Sequence, residues 1–146
     1  MAERSLLPAP LCDAVDFDRV RILRAAHNPY AALLRITVVR GWRIFWPDAP
    51  EEARTLPERA HLAHELVHVW QYQALGKTGI EILLHRRYRY ALETGKPFRA
   101  YGFEQQAAIV EDLVRVSGGA APRWTPERHA PQHYAALLSD AAFRSA

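Results

Sequence analysis

Residues 61–73 read HLAHELVHVWQYQ, three histidines and a glutamate inside a run that otherwise has the composition of a buried helix. His64 and His68 are spaced i, i+4, so on a helix they leave the same face about one turn apart. Two imidazoles so placed can grip one metal ion from the same side. Glu65 lies about 100° round the helix from His64, outside that coordination direction but within reach of a water on the ion. Two ligands and one general base are the physical content of the H-E-x-x-H pattern. Leu62, Ala63, Leu66, Val67, Val69 and Trp70 surround it with apolar side chains. Polar groups among such neighbours are costly unless partnered, which favours a metal site over coincidence. His61 continues the same face but lies about 10 Å along the axis from His68. With zinc–nitrogen bonds of about 2 Å, one ion between His64 and His68 is beyond it. It reads as a helix-entry histidine.

Catalytic zinc takes three protein ligands and keeps a position open. Downstream candidates are Glu81, His85, Glu93, Glu104, Glu111, His129 and His133. Glu104 stands out because it opens a helix whose next turn carries Ala107 and Ala108, a small face that allows close approach to the histidine helix. His85, between Leu84 and Arg86 on an amphipathic stretch, is its rival and would give an all-histidine site.

The elements that must position these residues follow from periodicity and breakers. A first short helix is expected over 16–26. Residues 32–47 are rich in β-branched and aromatic side chains around Gly41 and read as two strands about a turn. A proline-bearing loop covers 48–58. The histidine helix runs from about Pro57 to Leu75 and stops at Gly76 and Gly79. Further helices are expected over 80–93, 103–116 and 133–143, with an extended segment over 120–131. The whole is α+β, mainly helical, with a short sheet or hairpin packed on the histidine helix.

At 146 residues, 49% hydrophobic and 24% charged, the chain fits a single domain, 1–146, with a proper core. Its net charge of +3 is weak support for a nucleic-acid partner. One cysteine, Cys12, excludes an intrachain disulfide and a thiolate-rich zinc site. The N-terminal stretch lacks the apolar core of a signal peptide, and no segment is apolar for long enough to cross a bilayer. A cytoplasmic monomer is expected, exported only if a specialised secretion system carries it.

The stretches AHELVHVWQYQ and YGFEQQAAIVED together resemble the small gluzincin-type metallopeptidase domains of bacteria, often encoded near Rhs/Vgr or contractile-injection secretion genes. The resemblance covers roughly residues 35–115. It implies a minimal zincin-like fold, zinc on His64, His68 and Glu104, Glu65 as general base, and a peptide or protein substrate. It also implies a possible secretion-system partner. Larger gluzincins often place an acid one turn after the glutamate ligand to orient a histidine; here that position is Ala108. The orienting groups must come from elsewhere, with Glu111, Asp112 and a backbone carbonyl as candidates.

The reaction expected is hydrolysis of a peptide bond, with Glu65 moving the proton from water to the leaving amine. Tyr101, His129, His133 and Arg123 are the candidates by type for a transition-state hydrogen-bond donor. RIFWP, 43–47, resembles the edge strand on which zincins lay an extended substrate. The alternatives are a zincin-fold adaptor of a secretion system that keeps zinc only for structure, and a SprT-like DNA-associated protease. HRRYRY, 85–90, has the arginine and tyrosine composition that the latter would use. As a helix, however, it reads as a solvated face with Tyr88 packed inward.

Overall fold

The computed structural model describes residues 3–76, 86–139 and 143. Its architecture is α+β. After a 3-10 turn at Glu3–Leu6 come helix α1 (Ala9–Ala14), strand β1 (Arg21–Leu23), helix α2 (Pro29–Leu34) and strands β2 (Val38–Arg40) and β3 (Arg43–Phe45). The long helix α3 (Leu56–Leu75), a 3-10 turn at Phe98–Ala100, helix α4 (Phe103–Ser117) and helix α5 (Pro131–Leu137) complete it.

The sheet has the order β1-β3-β2, with β1 parallel and β2 antiparallel to β3. Gly41 begins the two-residue turn between β2 and β3 with φ 60°, a conformation that glycine adopts without steric cost. Ile44 is fully buried and Val39 nearly so, and this inward face packs on α3. β3 is therefore the central strand, and RIFWP is not an edge: both of its sides are paired. The free edge near α3 belongs to β2.

Helix α3 is defined at both ends by local chemistry. Thr55 accepts from the Glu58 N–H while Glu58 reaches back to the Thr55 N–H, a capping box. Gly76 closes it in the left-handed conformation at φ 59°. From Leu62 to Gln71 every residue of α3 is buried, because the sheet, α1, the first 3-10 turn and α4 all pack round it. α4 makes the most extensive of these contacts. The two helices run antiparallel: Gln71 meets Phe103 and Gln106, His64 meets Glu111, and Gly118 abuts Leu56. Ala107 and Ala108 are fully buried at this crossing, as the small face of α4 requires.

Three expectations are corrected. Residues 16–20 form turns and 21–23 a strand, not a helix, because Arg21, Ile22 and Leu23 pair with β3. Residues 86–93 are not helical; Tyr90 instead bonds through its N–H to the Trp124 carbonyl, 3.3 Å away. The rest of that expected helix, with Glu81 and His85, lies outside the described residues. The closing helix expected over 133–143 begins earlier and α5 ends at Leu137, with Leu138 and Ser139 outside it; residues 140–142 lie outside the described residues.

Asp112 on α4 organises the segments beyond the helices. It is fully buried and accepts from the Arg123 N–H at 2.6 Å, the Trp124 N–H at 3.0 Å and the Tyr90 hydroxyl at 2.8 Å. Tyr90 in turn lies 3.0 Å from the Tyr134 hydroxyl of α5. One carboxylate thus ties the segments around Tyr90 and Trp124 to α4, and indirectly α5.

Candidate metal centre

His64 and His68 project from α3 toward the first turn of α4. Their Nε2 atoms lie 3.2 and 3.1 Å from the same Glu104 oxygen, Oε2. All three residues are buried, and one ligand atom from each lies within 4.8 Å of the others. This group can hold a metal ion. Expected ligands from two helices, 36 and 40 residues apart in sequence, are brought together as the small face of α4 allows.

The second nitrogen of each imidazole is also committed. His64 Nδ1 lies 2.9 Å from Glu111 Oε2, and His68 Nδ1 lies 2.8 Å from Gln71 Oε1. Both partners are acceptors at those atoms, since the Gln71 amide nitrogen donates elsewhere, to the Phe103 carbonyl and Gln106 Oε1. Each Nδ1 therefore carries a hydrogen, so a cation bound at the shared point would meet an Nε2 lone pair from each ring. Two lone pairs and a carboxylate oxygen facing one another need a positive charge between them. Ligands on one tetrahedral ion at bond lengths near 2 Å are about 3.3 Å apart. The spacings of the two Nε2 atoms from Glu104 fit that size.

A proton on His64 Nε2, shared with Glu104, is one such charge. Burial works against a charged His64, but its hydrogen bonds to Glu104 and Glu111 and the field of Glu65 outweigh this and push its pKa to about 10. Burial would raise Glu104, yet the hydrogen bonds to both histidines hold it down to about 2. Glu65, Glu104 and Glu111 are three buried carboxylates in one small volume, with Arg123 reaching Glu111 Oε1 only at 3.4 Å. The chain has gathered negative charge here, and a divalent cation would balance it.

Glu111 supplies the orientation that Ala108 cannot. It lies two turns along α4 from Glu104 and is held by the Trp124 Nε1–H at 2.6 Å as well as by His64. Asp112 takes no direct part; it fixes the backbone that delivers Trp124. Gln71 stands one turn after His68, but the sequence did not single it out as a partner, nor did it foreshadow the stacking of Tyr88 and Trp124. The Tyr88 ring stacks on His64 at 5.9 Å between centroids and on Trp124 at 4.8 Å, and nothing local in either sequence segment announces this. Tyr88 is half-buried, and burial, followed by the negative field of Glu104 and Glu65, pushes its hydroxyl up to about 12.

A cleft of about 380 Å³ opens onto the group, lined by His64, Glu65, His68 and Glu104 and walled by β2 on one side and Arg86 and Tyr88 on the other. Glu65 is buried and lies beside rather than within the ligand group; its nearest basic neighbour is His61 Nε2 at 3.6 Å. His61 also meets the Thr37 hydroxyl at 2.8 Å, which places it outside the ligand group as its distance along the helix requires. The donors expected by type lie elsewhere. His129, His133 and Tyr101 line a separate cavity, and Arg123 sits behind Glu111.

No protein-family model matches the chain. It is similar to the type VI secretion system spike protein VgrG2b of Pseudomonas aeruginosa, 28% identical over 122 residues. The similarity takes in 75% of this chain and 12% of that protein, so the chain spans only a small part of its relative's length. Its fold is similar to that of the effector domain of Pseudomonas aeruginosa VgrG2b, with a TM-score of 0.62 and 24% identity, over 78% of this chain and 70% of that domain. No described helix is long and apolar enough to cross a membrane.

Proposed function

We propose that this chain is a zinc-dependent metallopeptidase domain of the effector type, working in association with a bacterial secretion system. The observation that carries the reading is the convergence of His64 Nε2, His68 Nε2 and Glu104 Oε2, with both Nδ1 atoms already held and a fourth buried group, Glu65, left beside them. A structural site has no need of that additional carboxylate. The similarity to VgrG2b supports the association with secretion.

Zinc bound there would supply a Lewis acid that polarises a peptide carbonyl and acidifies water. The residues of the chain do the rest. Glu65 accepts a proton from water on its carboxylate and returns it to the leaving amine. Glu111 and Gln71 keep the imidazoles oriented, and Tyr88 and Trp124 cover the His64 ring from solvent. The substrate lies extended along β2. Arg40 and Arg43 flank the two-residue turn as a hydrogen-bonded pair, so Val39 turns its N–H and C=O outward to the free edge. That carbonyl already accepts the Tyr72 hydroxyl at 3.2 Å, which rigidifies the edge a peptide would join.

The test is metal content with cleavage. Purified protein should carry about one zinc per chain by elemental analysis. Glu104→Ala should lose zinc far more than His85→Ala does. Glu65→Gln should keep it, with peptide cleavage down by about 10² or more, the lower range for a general base. Absence of zinc even after its addition overturns the reading. Bound zinc with no cleavage across a broad peptide library would leave an adaptor module instead.

A further inference from the structure

The sheet carries a charge pattern that hydrolysis alone does not require. Its register pairs Arg21 with Arg43 and Arg43 with Arg40, so three arginines stand side by side across three strands. Paired residues share a face, and the alternate row of Ile22, Ile44 and Val39 is the one that packs inward. Arg21 and Arg43 therefore face outward and are exposed, while Arg40, at the free edge, is half-buried and turns toward the Tyr72 hydroxyl of α3. Neighbouring Cα atoms in such a row are about 5 Å apart, and like charges directly opposed across strands are destabilising.

Among the described residues none of the three forms an ion pair with a carboxylate. Arg21 Nη1 donates to the carbonyls of Asp18 and Val20, both at 2.8 Å. Arg40 Nη1 donates to the Tyr72 hydroxyl at 3.3 Å, and Arg43 is exposed. Elsewhere the chain does pair its arginines, Arg35 with Asp48 and Arg54 with Glu52. The row also ends somewhere specific. Arg40 lines the cleft of the metal centre from the free edge of the sheet, and Arg86 lines it from the opposite wall.

We propose that the cleft selects acidic peptides, gripping an Asp or Glu side chain beside the scissile bond with Arg40 and Arg86, with the charge of Arg43 standing next to Arg40 in the row. This rests on the peptidase reading for the chemistry, but the recognition stands on the sheet alone. A strand added to β2 places every second side chain on the arginine face. The row crosses the strands, so one residue of the added strand lies directly opposite Arg40, and the preferred sequence carries a carboxylate at that position. Guanidinium and carboxylate match as planar, two-pronged partners, and the bound peptide relieves the repulsion within the row.

The experiment uses the full-length Glu65→Gln protein loaded with zinc, so that peptide is bound without being cut. Fluorescein-labelled dodecapeptides alternating Glu, Gln or Lys with Val are titrated and followed by anisotropy at low and high salt. The Glu peptide should bind about tenfold or more tighter than the Gln peptide, the excess fading as salt screens it. Arg43→Gln, a change at an exposed side chain, should cut the Glu-peptide affinity about threefold or more with thermal stability unchanged or raised. Adding Arg40→Gln should bring the two peptides level. In otherwise wild-type protein the same changes should raise KM and spare kcat, as loss of uniform binding does.

Equal binding of Glu and Gln peptides, or a preference indifferent to both arginine changes, overturns the proposal. So does a single-stranded oligonucleotide that displaces the Glu peptide at lower concentration than unlabelled peptide does, which would assign the row to nucleic acid. If the wild type cuts neither peptide while the Glu preference and its arginine dependence persist, the peptidase reading fails and the acidic-peptide site stands.

Discussion

Glu65 and Glu111 differ in what they hold, and substitution should separate them. Glu111 is the acceptor for His64 Nδ1–H and for the Trp124 indole, both on Oε2. Burial opposes its charge, but the His64 hydrogen bond outweighs that and keeps its pKa below the usual carboxylate range. Removing the charge frees the imidazole to rotate and lowers its basicity. Glu111→Gln should therefore weaken metal affinity about 10- to 100-fold, the usual cost of losing such a partner. Competition against a chromophoric chelator measures it, and an affinity equal to wild type would sink the orienting role. Glu65→Gln in the same assay should match wild type. At this scale the sequence was informative about the pair one turn apart, His64 and His68. It turned Tyr88 inward but from a helix, and was silent on Trp124; the contacts of both depend on where two irregular segments cross the helices.

Elements with strong local signals were legible, and the others were decided by pairing. α3 announced itself through its apolar run and the stop at Gly76, while the Thr55–Glu58 capping box that begins it went unread. β1 did not, because Val20, Ile22 and Leu23 fit a helical stripe as well as a strand, and only the neighbouring edge of β3 decides between them. Residues 86–93 likewise carry a helical pattern, yet Asp112 on α4 draws Tyr90 out into an extended path. That makes Asp112 a test of the tertiary argument. Asp112→Ala would strip the acceptor from Tyr90, Arg123 N–H and Trp124 N–H together. Unfolding in urea should show a loss of about 2 to 4 kcal/mol, since each buried donor left unsatisfied costs about 1 to 3 and relaxation toward water recovers part. A loss under about 1 kcal/mol, the range of an ordinary surface change, would mean these segments are held by packing instead.

Across the whole molecule, ligands from one helix were easier to foresee than the place where a second helix meets it. The pair on α3 follows from a four-residue spacing. Glu104 was chosen over His85 from a small-residue face, and the antiparallel crossing of α3 and α4 is what gives that face its meaning. The crossing has a consequence for stability. An ion shared by His68 and Glu104 would close a loop of 36 residues, as a covalent cross-link does, except that it can be withdrawn. Whatever binds the folded chain and not the unfolded one adds RT ln(1 + [L]/Kd), about 2.7 kcal/mol at a hundredfold excess over Kd. Chelation should accordingly lower Tm by several degrees, readdition of zinc should restore it in proportion to log concentration, and Glu104→Ala should melt at one temperature whatever the zinc. A wild-type Tm indifferent to chelator would deny the ion any such tie. With it, the chain becomes a gauge of its surroundings: firm and slow to be degraded where free zinc is plentiful, slack and readily digested where zinc is scarce.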